Sequence, residues 1–549
     1  MANVTKDNKS TKKKIINPNK LPFLQSQILQ KIYLDINSKK HTTIQDISEI
    51  TGYKKDSKIL NDAHKALNRK GFITGDFESY FKVESYFKVP EYRDELYQYV
   101  ISKNDYVHKE YSKNILDFQY VNKSKKNTDQ LLRTISDFNN GGVCHNWYTY
   151  LEDFPYSLIE KKINKYNISS NSLIVEPFAG SGTTNVAAKM FGIDSVGFDA
   201  NPLMSYISRV KTTWDIDLTL FKKETVKISK NFLKNIHKFD TLDLDRDFLE
   251  KMPIKELNQW LSPALQNEVL LLKHLIKKTK NKDIRNLLLL AMSRSCLDAS
   301  YVSFCPGTTF YPFRIKEEFW NLFTNKIVDI YGDLKKIQES DEVFKNATLF
   351  DDSCLNAKKY IEKDSIDFLI TSPPYPNDLE YTRQTRLEMY MLDFVDCMDD
   401  VQQIKRTMVK GSTKLIYKES NSSKFVKNFD SVAMISNAIY EETKDKNWGF
   451  DYPRMVREYF GDMYLCLKEF LPLMKDGAHF LLVVGDQTIK GVYIPVCDIL
   501  IEMAQSLNYS ECSKELFRIR RSTGHNIDLP EEIVILKKYI TDFYNINKR

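Results

Sequence analysis

Paired cysteines are missing from this chain. Its eight cysteines, at positions 144, 296, 305, 354, 397, 466, 497 and 512, are scattered, and none forms C-x-x-C. That excludes a zinc framework of the usual spacing and a disulfide scaffold, and it fits a reducing cytoplasm. No metal site is expected. Long apolar runs are missing too. The longest are Leu287–Met292 and Phe480–Val484, far short of the ~18–20 residues that span a bilayer, so no membrane partner is expected. The first twenty residues hold six lysines and no apolar core, which is not the pattern of a secretory signal. Charge of one sign is scarce. With 80 Lys+Arg against 73 Asp+Glu, the formal charge is +7 over 549 residues, which permits a polyanionic partner without requiring one. What the chain does have is core material. An apolar share of 42% beside 28% charged residues excludes global disorder. At ~100–200 residues per domain the length suggests three or four structural units.

Residues 1–20 are rich in Lys, Asn and Ser and read as a basic tail. Over 21–100 the pattern turns helical. Phe23, Ile28, Leu29, Ile32 and Tyr33 recur at helical spacing. Thr42 or Thr43 caps a second short helix that ends at Gly52, and a third runs from about Asp56 to Lys70 before Gly71. The hexamer ESYFKV then occurs twice in succession, over Glu78–Val83 and Glu84–Val89. A six-residue duplication keeps strand parity, so the segment reads as a winged helix-turn-helix. The third helix carries Lys58, Lys65 and Arg69, which suit a DNA backbone, although winged helices also serve as protein-binding modules. Residues 101–140 read as a polar, Lys-rich linker.

Beyond it, short apolar strands alternate with helical patterns, at Leu173–Val175, Asp194–Phe198, Ile366–Ile370, Phe480–Val484 and Ile533–Leu536. Such alternation predicts a parallel sheet with crossover helices. Residues 215–340 show no strand pattern, only helical Leu repeats such as Leu261–Lys280 and Ile284–Leu297, and read as a helical insertion. The first strand ends in Val175-Glu176-Pro177-Phe178-Ala179-Gly180-Ser181-Gly182-Thr183-Thr184. Glycines between a strand and a helix let the backbone approach a ligand beside free helix N–H groups. No Lys-Ser/Thr follows the last glycine, so this is not a P-loop, and Asn185 stands where a dinucleotide fingerprint has its third glycine. The second strand ends at Asp199, where a carboxylate can accept both hydroxyls of a ribose. The strand Asp367–Ile370 runs into Thr371-Ser372-Pro373-Pro374-Tyr375. Two successive prolines fix φ and remove two N–H donors, leaving an array of acceptors. Hydrogen bonds accepted from an exocyclic amine by Ser372 and the Pro373 carbonyl favour its nucleophilic sp³ form. Tyr375 is placed to stack on the base, which must leave its duplex to reach such a pocket.

The pair EPFAGSGTT and TSPPY resembles the fingerprints of the S-adenosylmethionine-dependent amino-methyltransferases of DNA, an F-x-G-x-G turn and a [DNS]-P-P-[YFW] loop. The Ser variant is similar to the cytosine-N4 subgroup more than to the adenine-N6 one. Cys144–Tyr150 with Phe154-Pro155, Phe350–Ser353, Pro376–Glu388, Val484–Asp486 and Arg518–Arg521 with Leu529–Glu532 look like further elements of that family. The resemblance covers about residues 141–549 and implies an α/β fold: a Rossmann-like, mostly parallel seven-stranded sheet with a C-terminal β-hairpin. It divides the chain into a cofactor part of the core (141–214), the helical insertion (215–340), a catalytic part (341–400), a basic candidate for target recognition (401–455) and a C-terminal part of the core (456–549). It implies S-adenosyl-L-methionine as cofactor, held by Trp147, Tyr148, Glu176, Pro177, Phe178, Gly180, Gly182, Thr183, Asp199, Ala200, Asp352, Ser353 and Ser372. Catalysis would fall to Ser372, Pro373, Pro374 and Tyr375.

Double-stranded DNA is the expected partner, contacted by Lys58, Lys65, Arg69, Arg383, Lys405, Arg406, Lys410 and Lys414. Methylation of cytosine N4 in a restriction-modification or phage-defence setting, with a cognate endonuclease or defence subunit as possible partner, is the expected function. Adenine-N6 methylation, methylation of RNA amines, and DNA binding by a degenerate methylase remain alternatives. Direct transfer needs no thiol, and the chain holds no Pro-Cys dipeptide of the carbon-5 enzymes, only Cys305-Pro306 in reverse order.

Overall fold

The structure, a computed structural model, describes residues 143–150, 155–242, 244–245, 247–252, 254, 256–304, 308–311, 318–521 and 528–539, together with Asp62, Ala63 and Lys65. The expected winged helix and linker, with Lys58 and Arg69, lie outside the described residues.

Seven strands form one sheet. In chain order they are β1 (Leu173–Glu176), β2 (Asp194–Phe198), β3 (Ala347–Phe350), β4 (Ile366–Thr371), β5 (Met474–Gly485), β6 (Glu511–Arg521) and β7 (Asp528–Lys537). Their spatial order is β6-β7-β5-β4-β1-β2-β3. Strands β1 to β5 pair in parallel, while β7 runs antiparallel to both β5 and β6. The mostly parallel sheet and closing hairpin match the expected α/β architecture.

Parallel strands are covered on both faces and therefore read as continuous apolar runs. Alternate residues face opposite layers. Ile174, Phe368, Ile370, Leu481 and Val483 belong to one core, while Val175, Leu369, Phe480, Leu482 and Val484 belong to the other. The first core is closed by helices α1 (Tyr156–Lys165), α2 (Thr183–Met190), α3 (Pro202–Thr212), α4 (Leu218–Asn235), α5 (Pro263–Lys277), α6 (Lys282–Ala299) and α7 (Phe319–Gln338), and by α8 (Tyr381–Met391) and α9 (Met398–Thr407). The second is closed mainly by α10 (Asp430–Thr443), α11 (Tyr452–Phe470) and α12 (Val496–Ser506). Several helix starts follow from capping chemistry. Asn201, Asp217, Ser262 and Asn281 accept N–H groups of the first turns of α3 to α6, and Pro202 and Pro263 stand at the first helical positions.

The helices between β2 and β3 share the first core with the sheet rather than packing only with one another. Phe232 on α4 stacks on Trp320 on α7 with centroids 4.1 Å apart. The Tyr206 hydroxyl on α3 donates to the Asn286 carbonyl on α6 at 2.8 Å. Within this region, read from sequence as free of strands, Val302–Ser303 pairs antiparallel with Thr309–Phe310. Two-residue strands are too short to leave a periodic signal.

In the second core, α11 passes so close to the Ser422 carbonyl that a Cβ on Gly461 would collide with it. Alanine normally gains ~1 kcal/mol over glycine inside a helix, but overpacking against fixed backbone costs ~1–3 kcal/mol. Gly461→Ala is therefore expected to lower the melting temperature, and a rise on thermal denaturation would contradict this packing.

Candidate active site

The turn after β1 and the loop after β4 meet at one cavity because β1 and β4 are neighbours, with Ile174 opposite Phe368 and Val175 opposite Leu369. Ligands of open α/β sheets sit at these C-terminal strand ends. Gly180 (φ 51°) and Gly182 (φ 85°) take left-handed conformations, which glycine adopts without steric cost. A Cβ on Gly182 would also lie 2.9 Å from Ser208 Cα. The turn is closed by its neighbours. Ser208 Oγ donates to the Gly180 carbonyl at 3.0 Å, and Ala179 N donates to the Phe198 carbonyl at 2.8 Å.

Asp199 binds this turn from the end of β2. Its Oδ2 accepts from Gly180 N at 2.9 Å and its Oδ1 from Asn201 N at 2.8 Å. Each oxygen accepts one of these bonds and retains acceptor capacity, and Asp199 lines the cavity. Burial pushes this carboxyl up to about 7, against the two N–H groups that favour its charged form. Glu176 lies beneath the turn. It accepts from Thr184 Oγ1 at 2.6 Å and from Phe178 N at 3.2 Å, and burial pushes it up to about 8.

The Ser372–Tyr375 loop forms the facing wall. Tyr375, expected to stack on a base, lines the cavity beside Ser372. Its side chain is largely buried, its hydroxyl donates to Glu531 Oε1 at 2.7 Å with the Val483 carbonyl 3.2 Å away, and the Arg520 guanidinium lies 5.2 Å from its ring centre. A buried phenol needs such a partner, and here it comes from the β6–β7 hairpin. Glu531, itself 3% exposed, is held on its other oxygen by Arg518 Nε.

Of the residues expected at a cofactor, Pro177, Phe178, Gly180, Thr183, Asp199, Ala200, Ser353 and Ser372 line the cavity. Five do not. Trp147 and Tyr148 are buried. The indole donates to Asp333 Oδ2 at 3.0 Å and the phenol to Glu388 Oε1 at 2.6 Å, so Tyr150 from that segment reaches the cavity instead. Glu176 and Gly182 shape the turn from behind. Asp352 turns its carboxylate to Asn356 and Tyr360, at 2.7 and 2.9 Å, which hold it below the usual carboxylate range.

The expected DNA contacts also divide. Lys405 is buried, with Nζ 3.2 Å from the buried Glu380, and Lys410 Nζ lies 3.5 Å from Asp462. The Lys405 ammonium is thus taken up inside the protein and is not presented to a phosphate, whereas Lys410 is half-buried and paired. Lys405 follows Val401 by one helical turn on α9 and shares its inward face. Arg383, Arg406 and Lys414 are exposed, and Arg406 pairs with Glu419 and lies over the Tyr417 ring at 4.3 Å. Lys65 is exposed in a helical stretch. Just beyond Arg406, Thr407, Met408 and Val409 line the cavity, which puts this part of the basic stretch at its edge.

Sequence reading missed Asn201, Tyr381, Arg520 and Glu531 as lining residues. Only Asn201-Pro202 carried a local signal, that of a helix cap.

The family model described as DNA methylase, of N6/N4 methyltransferases, matches residues 6–209. The match includes the glycine turn and Asp199 and stops before Ser372. The chain is 24% identical over 433 residues to Type II methyltransferase M.BsoBI of Geobacillus stearothermophilus, covering 71% of this chain and 82% of that protein. It is 23% identical over 436 residues to Type II methyltransferase M.AvaI of Nostoc sp., covering 74% and 83%. It is 23% identical over 420 residues to Type II methyltransferase M.MvaI of Kocuria varians, covering 67% and 84%. The chain is thus similar to DNA amino-methyltransferases of the N4/N6 family, and these matches do not separate the two target amines. Among the described residues, no helix is long and apolar enough to cross a membrane.

Glu176 and Asp199 set a pH dependence of stability. Their folded-state values lie above the ordinary carboxylate range, so the native state binds more protons than the unfolded chain at neutral pH. Stability from their neutral forms is complete below the ordinary carboxylate range and is lost progressively as pH rises from that range to about 7 for Asp199 and about 8 for Glu176. The melting temperature of the ligand-free protein should therefore fall across this window. Glu176→Gln should flatten the slope, and an unchanged slope in that variant would contradict the assignment.

Proposed function

We propose that the chain transfers a methyl group from S-adenosyl-L-methionine to the exocyclic N4 amine of a cytosine flipped out of double-stranded DNA. The carrying observation is the meeting of a glycine turn, a carboxylate with free lone pairs and an acceptor-only proline loop around one cavity. Type II methyltransferases among its relatives, and a family model described as DNA methylase, support DNA as the polymer and a restriction-modification setting.

The donor set fits this cofactor. Asp199 offers acceptors to two vicinal ribose hydroxyls beside the Phe178 ring. No lysine or arginine of the glycine turn lines the cavity; its arginines, Arg518 and Arg520, come from the hairpin wall. That suits a nucleoside without phosphates. The cofactor supplies an electrophilic methyl group on a sulfonium. The protein's task is then to position the amine and make it nucleophilic. Its lone pair is delocalised into the base ring. Ser372 Oγ and the Pro373 carbonyl accept its N–H bonds and draw it toward sp³ geometry. Prolines at 373 and 374 ensure that no backbone N–H there competes as a donor. Tyr375, tied to Glu531, keeps the loop rigid. The amine becomes acidic once methylated, so its proton passes to water without a dedicated base. The serine at 372, similar to the cytosine-N4 subgroup, favours cytosine over adenine.

Digestion and mass analysis of DNA from cells expressing the chain should give N4-methylcytosine. N6-methyladenine in its place would select the alternative amine. In purified protein, Ser372→Ala should cut the methylation rate by ~10²-fold, the scale of one lost hydrogen-bonding group at a reacting centre, with cofactor affinity retained. Asp199→Ala should weaken S-adenosylmethionine binding by at least ~10-fold in calorimetry, the worth of one charge-assisted hydrogen bond. Unchanged affinity would refute the ribose role.

A further inference from the structure

Arg520 is not accounted for by the cofactor or by the Ser372–Tyr375 loop. It stands on β6, lines the cavity, and reaches across the Tyr375 ring. Its Nε and Nη2 are buried without a hydrogen-bond partner. The nearest carboxylate oxygen, Glu531 Oε2, is 3.7 Å from Nε, beyond hydrogen-bond range, and is already taken by Arg518. A buried donor without an acceptor costs ~1–3 kcal/mol. A charged guanidinium held this way beside a cavity suits an acceptor that a ligand brings. The room for it is built in. Gly485, at the end of β5, packs directly under the guanidinium, where any Cβ would meet Nη2.

Position selects which ligand. The turn of Gly180 and the carboxylate of Asp199 follow β1 and β2, on one side of the Ser372 loop. Arg520 comes from β6, beyond β5 and β7 on the other side. The group facing it is therefore the one presented to Ser372, the target base.

Resting on the proposed cytosine reading, we infer that Arg520 is the base-specificity residue, whose guanidinium donates to the ring N3 and O2 of the flipped cytosine while the Ser372 loop accepts from its N4 amine. The hydrogen-bonding edge of cytosine carries one amine followed by two acceptors. The corresponding edge of adenine carries one amine, one acceptor and then a C–H. A planar fork of donors satisfies both cytosine acceptors. Against adenine it leaves one N–H facing carbon, and a buried polar group left unpaired is what makes discrimination large. Glu531 hydrogen-bonds Arg518 and Tyr375 and attracts Arg520 only by charge, from 3.7 Å, so Nε and Nη2 keep their hydrogen-bonding capacity for the base.

The test uses the full chain, unmethylated genomic DNA and labelled S-adenosylmethionine, with methylated nucleosides separated after digestion. Arg520→Met should lower kcat/KM for N4-methylcytosine by ~10²-fold or more with cofactor affinity by calorimetry unchanged. Arg520→Lys keeps the charge without the fork and should fall between. Gly485→Ala, which displaces the guanidinium and leaves the arginine in place, should reproduce much of the loss. It also keeps the test open where Arg520→Met does not fold. Wild-type rates in Arg520→Met or Gly485→Ala would overturn the inference while leaving the cytosine assignment standing. A wild-type product of N6-methyladenine alone would overturn that assignment and the pairing with O2 together.

Discussion

β1 and β4 lie side by side and run in the same direction, Val175 opposite Leu369. Their C-terminal ends are therefore held about one strand spacing apart, ~5 Å. The glycine turn and the Ser372–Tyr375 loop are almost 200 residues apart in sequence yet emerge beside one another. In the proposed reaction the turn and the loop must hold their ligands at a fixed separation, and a buried parallel pair sets that separation. Its stiffness comes from the two cores, which clamp alternate side chains of the same strands from opposite faces. Moving either loop would require breaking the strand ladder or repacking both layers.

The edges of the cavity depend on buried carboxylates, and these are satisfied in two ways. On the glycine-turn side, Glu176 and Asp199 meet only hydroxyl and backbone donors, and burial drives both toward the neutral form. On the hairpin side, Glu531 meets Arg518, Arg520 and the Tyr375 phenol. Its two oxygens join residues that precede and follow β5 in the chain. The phenol is pushed well above its usual range by burial and by that carboxylate, so it stays a neutral donor at any physiological pH. One half of the site is thus rich in unfilled acceptors and the other in arginine donors. This division lies beneath a net charge of only +7.

The sheet centre was readable in the sequence because strands buried on both faces must be apolar throughout. Leu173–Glu176, Ile366–Thr371 and the Phe480–Val484 stretch of β5 carry that signature. The sheet edges were not. β3 is four residues long, and β6 alternates charged residues with exposed Leu516 and Ile519, the mark of an edge strand that faces water. The site was legible where function resides in a contiguous backbone shape, as in the glycine turn and the proline loop. It was illegible where a residue's part is set by a distant partner. Tyr375 reads as a lining ring, but its hydroxyl partner, Glu531, lies 156 residues on, where nothing local announces it. Lys405 reads as a phosphate contact until Glu380 is seen to meet it inside the protein. Trp147 and Tyr148 are expected as ligand contacts only through the family resemblance of their segment, and nothing local tells which of its several aromatic faces points inward.

That last segment shows what the helices between β2 and β3 contribute. Cys144 N and the Trp147 indole both donate to Asp333 on α7 at 3.0 Å, and the Tyr148 phenol donates to Glu388 on α8. Arg294 on α6 lies over the Tyr148 ring and donates to the Thr149 carbonyl at 2.8 Å. A chain segment with little regular structure is thus pinned at four points, and Tyr150, next along, is delivered to the cavity. A minimal sheet with its crossover helices has no surface to hold such a segment in place. Helices α6 and α7 provide it, so the helices between β2 and β3 form the outer support of one wall of the cavity, and their buried leucines pack that support against the first core.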